Sequence, residues 1–283
     1  MAVIINTNMA ALTARKNLEV SQAHLATSIA RLSSGLRITR AADDAAGLAI
    51  SENLGAQVRG LGQASRNAAN GISVVATAEG ALNEIGNLLS RMRELAVQSS
   101  SGDLDTTGRS NLNSEYTQLL AEIKRISDST TFNGTSLLSG ASTATFNFQI
   151  GINSGSNNIL TVTISAADTT VIGGVTGSAI SQTVISDRVS AMSSLQNIDS
   201  AISTVSSIRG TLGAMQNRLE SIIRNLAVSI ENTTAANSRI RDVDVAEETA
   251  AYTKNQILVQ AGVSVLAQAN QQPAMALSLL GGR

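Results

Sequence analysis

The chain has 283 residues, no cysteine and a single histidine, with aromatics at 2% and charged residues at 14%, against about 25% charged in ordinary domains. A net charge of −1 with no basic block leaves no electrostatic footprint for nucleic acid. Without thiols there are no disulfides, no thiol catalysis and no Cys-ligated zinc, and one His supplies no nucleophile, base and orienter set for an enzyme. Ala, Ser, Asn and Thr fill the space instead. Such small side chains build thin, close-packed helices, and a subunit of this kind is expected to finish its burial against neighbours. The first residues, MAVIINTNMAALTARK, show no basic segment followed by an apolar core, so no cleaved secretory signal is expected. No apolar run approaches the roughly 18 residues of a membrane span. Taken alone, these features describe a cytoplasmic protein.

Between Asn6 and Leu36, apolar residues recur at spacings of four and three: Leu18, Leu25, Ile29, Leu32 and Leu36, with Gln22 in the same series. This narrow stripe is a coiled-coil seam. A helix of about 30 residues is roughly 45 Å long and marginal alone, so it needs a partner. Leu258, Gly262, Val265, Ala269, Gln272, Ala276 and Leu279 repeat the spacing at the other end. The two arms are expected to pair antiparallel, with Arg40 and Asp43 level with Arg239 to Asp244. Gln22, Gln272 and Gly262 thin the seam, so the arms are expected to become helical only on assembly.

After Gly35, Asp43 or Asp44 is placed to cap the next helix. That helix runs to about Ser99, with Val75, Leu82, Leu89 and Ala96 every seven residues and Ala78, Ile85 and Met92 between them. Six glycines from Gly55 to Gly86 sit inside it, and mark either close helix approach or a weaker first half. Ser100 to Gly108 is a polar turn. Leu112, Tyr116, Leu119, Ile123 and Ile126 give the next helix, to about Asp128, and Asn133-Gly134 marks a turn.

The period then changes to two. Phe146, Phe148, Ile150 and Ile152, and later Leu160, Val162 and Ile164, alternate about a Gly/Asn turn, which predicts a β-hairpin over about 145–165. Residues 166–187 are small and Gly-rich and read as a short exposed tip. Helix resumes near Asp187 and runs to about Asn237, with Val205, Leu212, Leu219 and Leu226 every seven. A second break covers Ser238 to Val245. The last helix contains Pro273, expected to bend it. The expected fold is mainly α: a long antiparallel coiled-coil-like helical rod with a small β-hairpin in the middle of the chain. The expected domains are an N-terminal arm 1–43, a central part 44–243 and a C-terminal arm 244–283.

Several long motifs then coincide. Ile5-Asn6-Thr7-Asn8, Leu32-Ser33-Ser34-Gly35-Leu36-Arg37-Ile38 and Ala42-Asp43-Asp44-Ala45-Ala46-Gly47-Leu48-Ala49-Ile50 stand near the start. Arg93-Glu94-Leu95-Ala96-Val97-Gln98 and Phe132-Asn133-Gly134 follow. Thr211-Leu212-Gly213-Ala214-Met215-Gln216-Asn217-Arg218-Leu219, Ser238-Arg239-Ile240-Arg241-Asp242 and Leu266-Ala267-Gln268-Ala269-Asn270-Gln271 stand near the end. In these motifs the protein resembles bacterial flagellin over roughly 1–165 and 190–283, with a short middle. The resemblance implies a homo-polymeric filament subunit, extracellular on the flagellum and exported through the flagellum's own channel without a cleaved signal peptide. It implies an export chaperone, a filament cap and hook-junction proteins as partners, with no nucleic acid, membrane or cofactor. A hook–filament junction protein, which shares the terminal arms, is the alternative. The resemblance also implies a contact with Toll-like receptor 5 through Arg91, Leu95 and Glu115, with Ser90 where Gln is common; by spacing alone these are helix-surface residues.

Other motifs carry less. His24 lacks the companions a metal needs. Asp242, Asp244, Glu247 and Glu248 lack the Gly of a calcium loop and fit a helix start instead. Asn133-Gly134-Thr135 and Asn232-Thr233-Thr234 match the N-glycosylation pattern but are read as turn and helix.

Overall fold

The computed structural model describes residues 7–140, 143–173 and 179–281, and the side chains of the last helix as far as 271. Five helices carry the described residues: α1 (Met9–Ser34), α2 (Ala45–Ser100), α3 (Thr106–Ser129), α4 (Arg188–Arg241) and α5 (Val245–Gly281). Between α3 and α4 lie four short strands: β1 (Thr131–Phe132), β2 (Thr135–Ser136), β3 (Ala144–Gln149) and β4 (Ile159–Ile164). The fold is mainly α with a small antiparallel strand region, as expected.

Local chemistry sets the helix ends. Asn8 accepts from the Ala11 N–H at 3.1 Å, and Asp105 from Gly108 at 2.7 Å. Asp44, not Asp43, caps α2, accepting from Gly47 at 2.8 Å. Asp187 and Asp244 do the same for α4 and α5. Each carboxylate or amide satisfies donors that the first turn leaves unpaired. Gly35, at φ 72°, ends α1 with its N–H on the Arg31 carbonyl, the left-handed cap that glycine adopts without a Cβ penalty. The second break is narrower than expected, because α4 stays helical to Arg241.

The protein forms two compact units, Met1–Val58 with Asn232–Arg283, and Arg59–Glu231. Packing therefore divides inside α2 and α4, whereas the helices break at 35–44 and 242–244.

In the second unit α2 and α4 run antiparallel, tied by Arg93 to Asp199 at 2.6 Å and by Glu79 to Arg209 at 3.8 Å. Val75, Ala78, Leu82, Ile85, Leu89 and Met92 of α2 are fully buried, with Ile198, Ala201, Val205, Leu212 and Leu219 of α4. Tyr116 and Ile123 of α3 close one side, and Leu160, Val162 and Ile164 of β4 another. The β3–β4 hairpin is antiparallel, with Phe146 opposite Val162 and Phe148 opposite Leu160. Two glycines of α2 admit it. A Cβ on Gly71 would lie 3.3 Å from both Leu219 and Phe148, and one on Gly60 would lie 2.8 Å from Ile152. At these two positions close approach accounts for the glycine. Gly80 and Gly86 face open space.

Within 166–187, expected as an exposed tip, residues 166–173 and 179–187 are folded onto the second unit. Ala167, Ile172, Ile180 and Ile185 are fully buried, and Ala166, Asp168, Thr169 and Thr183 nearly so. Backbone bonds fold the segment onto the unit: Ala167 N–H donates to Leu138, and Ser181 N–H to Thr169. Three isoleucines at irregular spacing anchor a stretch whose small residues suggested solvent. Residues 174–178 lie outside the described residues.

Candidate functional site

The first unit holds the paired arms. α1 and α5 lie antiparallel as helices within one molecule. Four ties fix their register. Asn8 Nδ2 donates to the Ala269 carbonyl at 2.7 Å. A Cβ on Gly262 would lie 3.2 Å from Leu18. Arg31 reaches Glu248 at 3.4 Å. Leu36 pairs with Asp242 as a β-bridge.

At the breaks the two arms are cross-linked by backbone. Arg37 N–H donates to the Arg241 carbonyl at 2.7 Å, and Val243 N–H to that of Gly35 at 3.1 Å. Arg37 also caps the Ile240 carbonyl at 2.6 Å, and Arg241 pairs with Glu52 at 2.8 Å. The level is thus Leu36–Arg37 rather than Arg40–Asp43. Asp43 instead closes its own loop, accepting from the Thr39 hydroxyl at 2.8 Å and from the backbone of Thr39 and Arg40. Those bonds, led by the Thr39 hydroxyl, hold its carboxyl below the usual range. A polar cleft of ≈ 490 Å³ beside the breaks is lined by His24, Arg31, Arg37, Arg239, Asp242 and Glu247, among others. Among the described residues no group of three or more His, Cys, Asp or Glu is placed to hold a metal.

The seam between α1 and α5 differs from the expected one. Its α1 side is Ala11, Ala14, Leu18, Ser21, Leu25, Ser28 and Leu32, with Ser28 fully enclosed. Its α5 side is Asn255, Val259, Gly262, Leu266 and Ala269. Leu18, Leu25, Leu32 and Ala269 are inner residues as expected, and Leu36 is half-buried at the bridge. Ile29, Leu258 and Val265 are not: they are 50%, 44% and 56% exposed. Val259 and Leu266, each one position further on, take the inner places. The side chain of Leu279 lies outside the described residues.

Other apolar residues of the two arms are also left in solvent. Met9, Leu12, Val20 and Ile29 of α1 are exposed, as are Ile257, Leu258, Val263 and Val265 of α5. Single exposed apolar residues are ordinary; the eight named here, spread round the two paired helices, leave apolar surface for a neighbouring molecule to cover.

The second candidate set lies in the other unit. Arg91 donates from Nε and a terminal nitrogen to Glu115 at 2.9 and 2.8 Å, and from the other terminal nitrogen to Glu94 at 2.9 Å, all on exposed surface. Leu95 is not on that surface. It is 1% exposed, inside the core with Met92 and Ala96. The buried stripe of α2 is wider than a coiled-coil seam, because α3 and α4 cover it from two sides.

A model of the bacterial flagellin N-terminal helical region matches residues 5–143, and one of the bacterial flagellin C-terminal helical region matches 195–280. A flagellin of Halalkalibacterium halodurans is 47% identical over 278 residues, spanning 98% of this protein and 100% of its own length. The flagellar filament 30.7 kDa core protein of Treponema maltophilum is 40% identical over 284 residues, with 98% and 100% covered. Among solved structures, the flagellin of Bacillus cereus is similar at 32% identity and a TM-score of 0.49, covering 57% of this protein and 88% of its own length.

Proposed function

We propose that this chain, which belongs to the bacterial flagellin family and is a structural subunit of the flagellar filament, not an enzyme, polymerises through the apolar residues that the α1–α5 pair leaves in solvent. In this reading the arms 1–43 and 244–283 form the filament core. The observation that carries it is the apolar surface that the paired arms leave in solvent, from Met9 to Ile29 on α1 and from Ile257 to Val265 on α5. The inner seam holds the two arms of one molecule together, and the apolar residues that remain around the pair are what neighbouring copies would cover. Heterologous contacts of this kind, repeated without closing a ring, make an open helical polymer.

The same exposed residues give the other expected partners a purpose. An export chaperone would cover the C-terminal arm before assembly, and the protein would leave through the flagellum's own channel without a cleaved signal. A filament cap would fold it at the tip, and hook-junction proteins would offer the same paired arms. Electron microscopy of the purified, polymerised protein tests the central claim, with the protein expected as the main component of sheared filaments. Finding it only as a trace component would favour a hook–filament junction protein.

A second reading rests on the exposed charge cluster. Arg91 with Glu94 and Glu115 would contact Toll-like receptor 5, with Leu95 supporting the face from inside. Reporter-cell signalling should be strongest for monomers and fall for Arg91→Ala; equal signalling by the two proteins, or by intact filaments, would refute it.

A further inference from the structure

Two Asn-Gly pairs occur in the sequence, Asn70-Gly71 and Asn133-Gly134. Sequence treats them alike, since in each the residue after Asn has no side chain to hinder attack by its own backbone nitrogen. The fold separates them. Asn70-Gly71 lies inside α2, where each N–H is bonded to a carbonyl one turn back, and Gly71 is packed against Leu219 and Phe148. Asn133-Gly134 is the two-residue turn between β1 and β2, with Phe132 opposite Thr135. Asn133 is exposed at φ 47°, alone among described non-glycine residues in the left-handed region, and Gly134 follows at φ 78°. Two successive positive φ values define a type I′ turn. The N–H of its second central residue points away from the ladder, because the turn's own bond uses the next residue's N–H. A Cβ at Gly134 would meet nothing within 4 Å.

We propose that Asn133 is a site of spontaneous deamidation in the folded protein, and that Asn70 is protected. The deprotonated Gly134 nitrogen attacks Asn133 Cγ and forms a new carbon–nitrogen bond that closes the ring. The bond from Cγ to the amide nitrogen Nδ2 breaks and ammonia leaves, giving a succinimide. Water then opens either ring carbonyl, yielding Asp or a β-linked isoaspartate. No oxidant or enzyme is needed. The β-linked product adds a methylene to the backbone of a turn that has only two residues. The Phe132–Thr135 pair must then part, immediately before Leu137 and Leu138, which are 1% and 0% exposed in the core.

The test incubates the purified full-length protein at mildly alkaline pH, once folded and once in urea. Peptide mass spectrometry with an isoaspartyl methyltransferase assay reads each site. In urea both sites should convert at similar rates. In the folded protein Asn133 should exceed Asn70 on the order of a hundredfold, because attack at Asn70 awaits local opening of a core helix. Asn133→Gly keeps the left-handed turn and should abolish ammonia release from the folded protein. Equal rates at the two sites in the folded protein, or ammonia release unchanged in Asn133→Gly, would overturn the proposal.

Discussion

Replacing Ile29 by Glu separates the surface left to neighbouring subunits from the seam within the molecule, and Leu25→Glu is its counterpart. Leu25 is half-buried against α5, and Ile29 keeps 50% of its surface in solvent. In the free subunit Ile29→Glu should change stability by no more than about 0.5 kcal/mol, as surface changes do. In the polymer the balance differs. Full burial of an Ile stabilises by about 1.5–3 kcal/mol, so its exposed half leaves roughly 1 kcal/mol for a neighbouring subunit to gain. A carboxylate in its place is covered without a partner, at a cost of several kcal/mol. At a factor of ten per 1.4 kcal/mol, the critical concentration for polymerisation should rise about a hundredfold or more. Leu25→Glu acts one step earlier, weakening the α1–α5 pair itself by about 1–2 kcal/mol. Hydrogen exchange of α1 and α5 amides reads the pair, and sedimentation reads the polymer. Ile29→Glu should show wild-type protection and no pelleting; Leu25→Glu should lose both. If Ile29→Glu polymerises at the wild-type concentration, the exposed apolar residues of the arms are not the assembly surface.

The Tyr116 phenol, bonded to the Thr183 hydroxyl at 2.6 Å, is pushed by burial from 10.0 to about 12. A raised phenol favours the folded state fully below pH 10 and loses that contribution as pH climbs towards 12, by about 2–3 kcal/mol in urea titrations at rising pH. Tyr116→Phe should cost about 1 kcal/mol at neutral pH and flatten this alkaline loss. Leu82→Ala, at a site with 0% exposure, should cost about 2–5 kcal/mol in the same assay. Gly80→Ala, in open space on α2, should gain up to about 1 kcal/mol, whereas Gly71→Val should lose about 1–3 kcal/mol by crowding Leu219 and Phe148.

Some helix limits were legible because their signals are local: Asp43–Asp44, Asp187 and Asp242–Asp244 marked helix starts, whereas Asp105 fell inside an expected turn and α4 runs on to Arg241. Asn8, Asp44, Asp105, Asp187 and Asp244 each accept from the turn they start, and Gly35 ends the turn it follows. The hairpin was legible from strict alternation. The seam was not, for a reason visible in its residues. The inner face of α1 is Ala11, Ala14, Ser21 and Ser28 as much as leucine, since small residues let the helices approach. On α5, Ile257, Leu258 and Val259 are contiguous, so hydrophobicity alone cannot choose which faces inward. Arms that carry apolar residues on several sides of each helix do not show by periodicity alone which of them face inward. The same ambiguity placed Leu95 on the surface, where a third helix was needed to bury it. Residues 166–187 failed differently: their burial depends on pairing with Leu138 and on packing with α4, contacts that no local period announces.

The backbone tie at the breaks has a mechanical consequence. Gly35, Leu36 and Arg37 are bonded to Arg241, Asp242 and Val243, so the outgoing and returning segments are joined where each leaves its helix. A pull along α1 therefore does not reach the rest of the molecule through residues 38–44 alone. It passes sideways into α4 and α5 through bonds that are strained together rather than opened one after another. The short non-helical links, which would otherwise stretch first, are spared most of the tension, and neither arm can slide along the other without breaking the whole set at once.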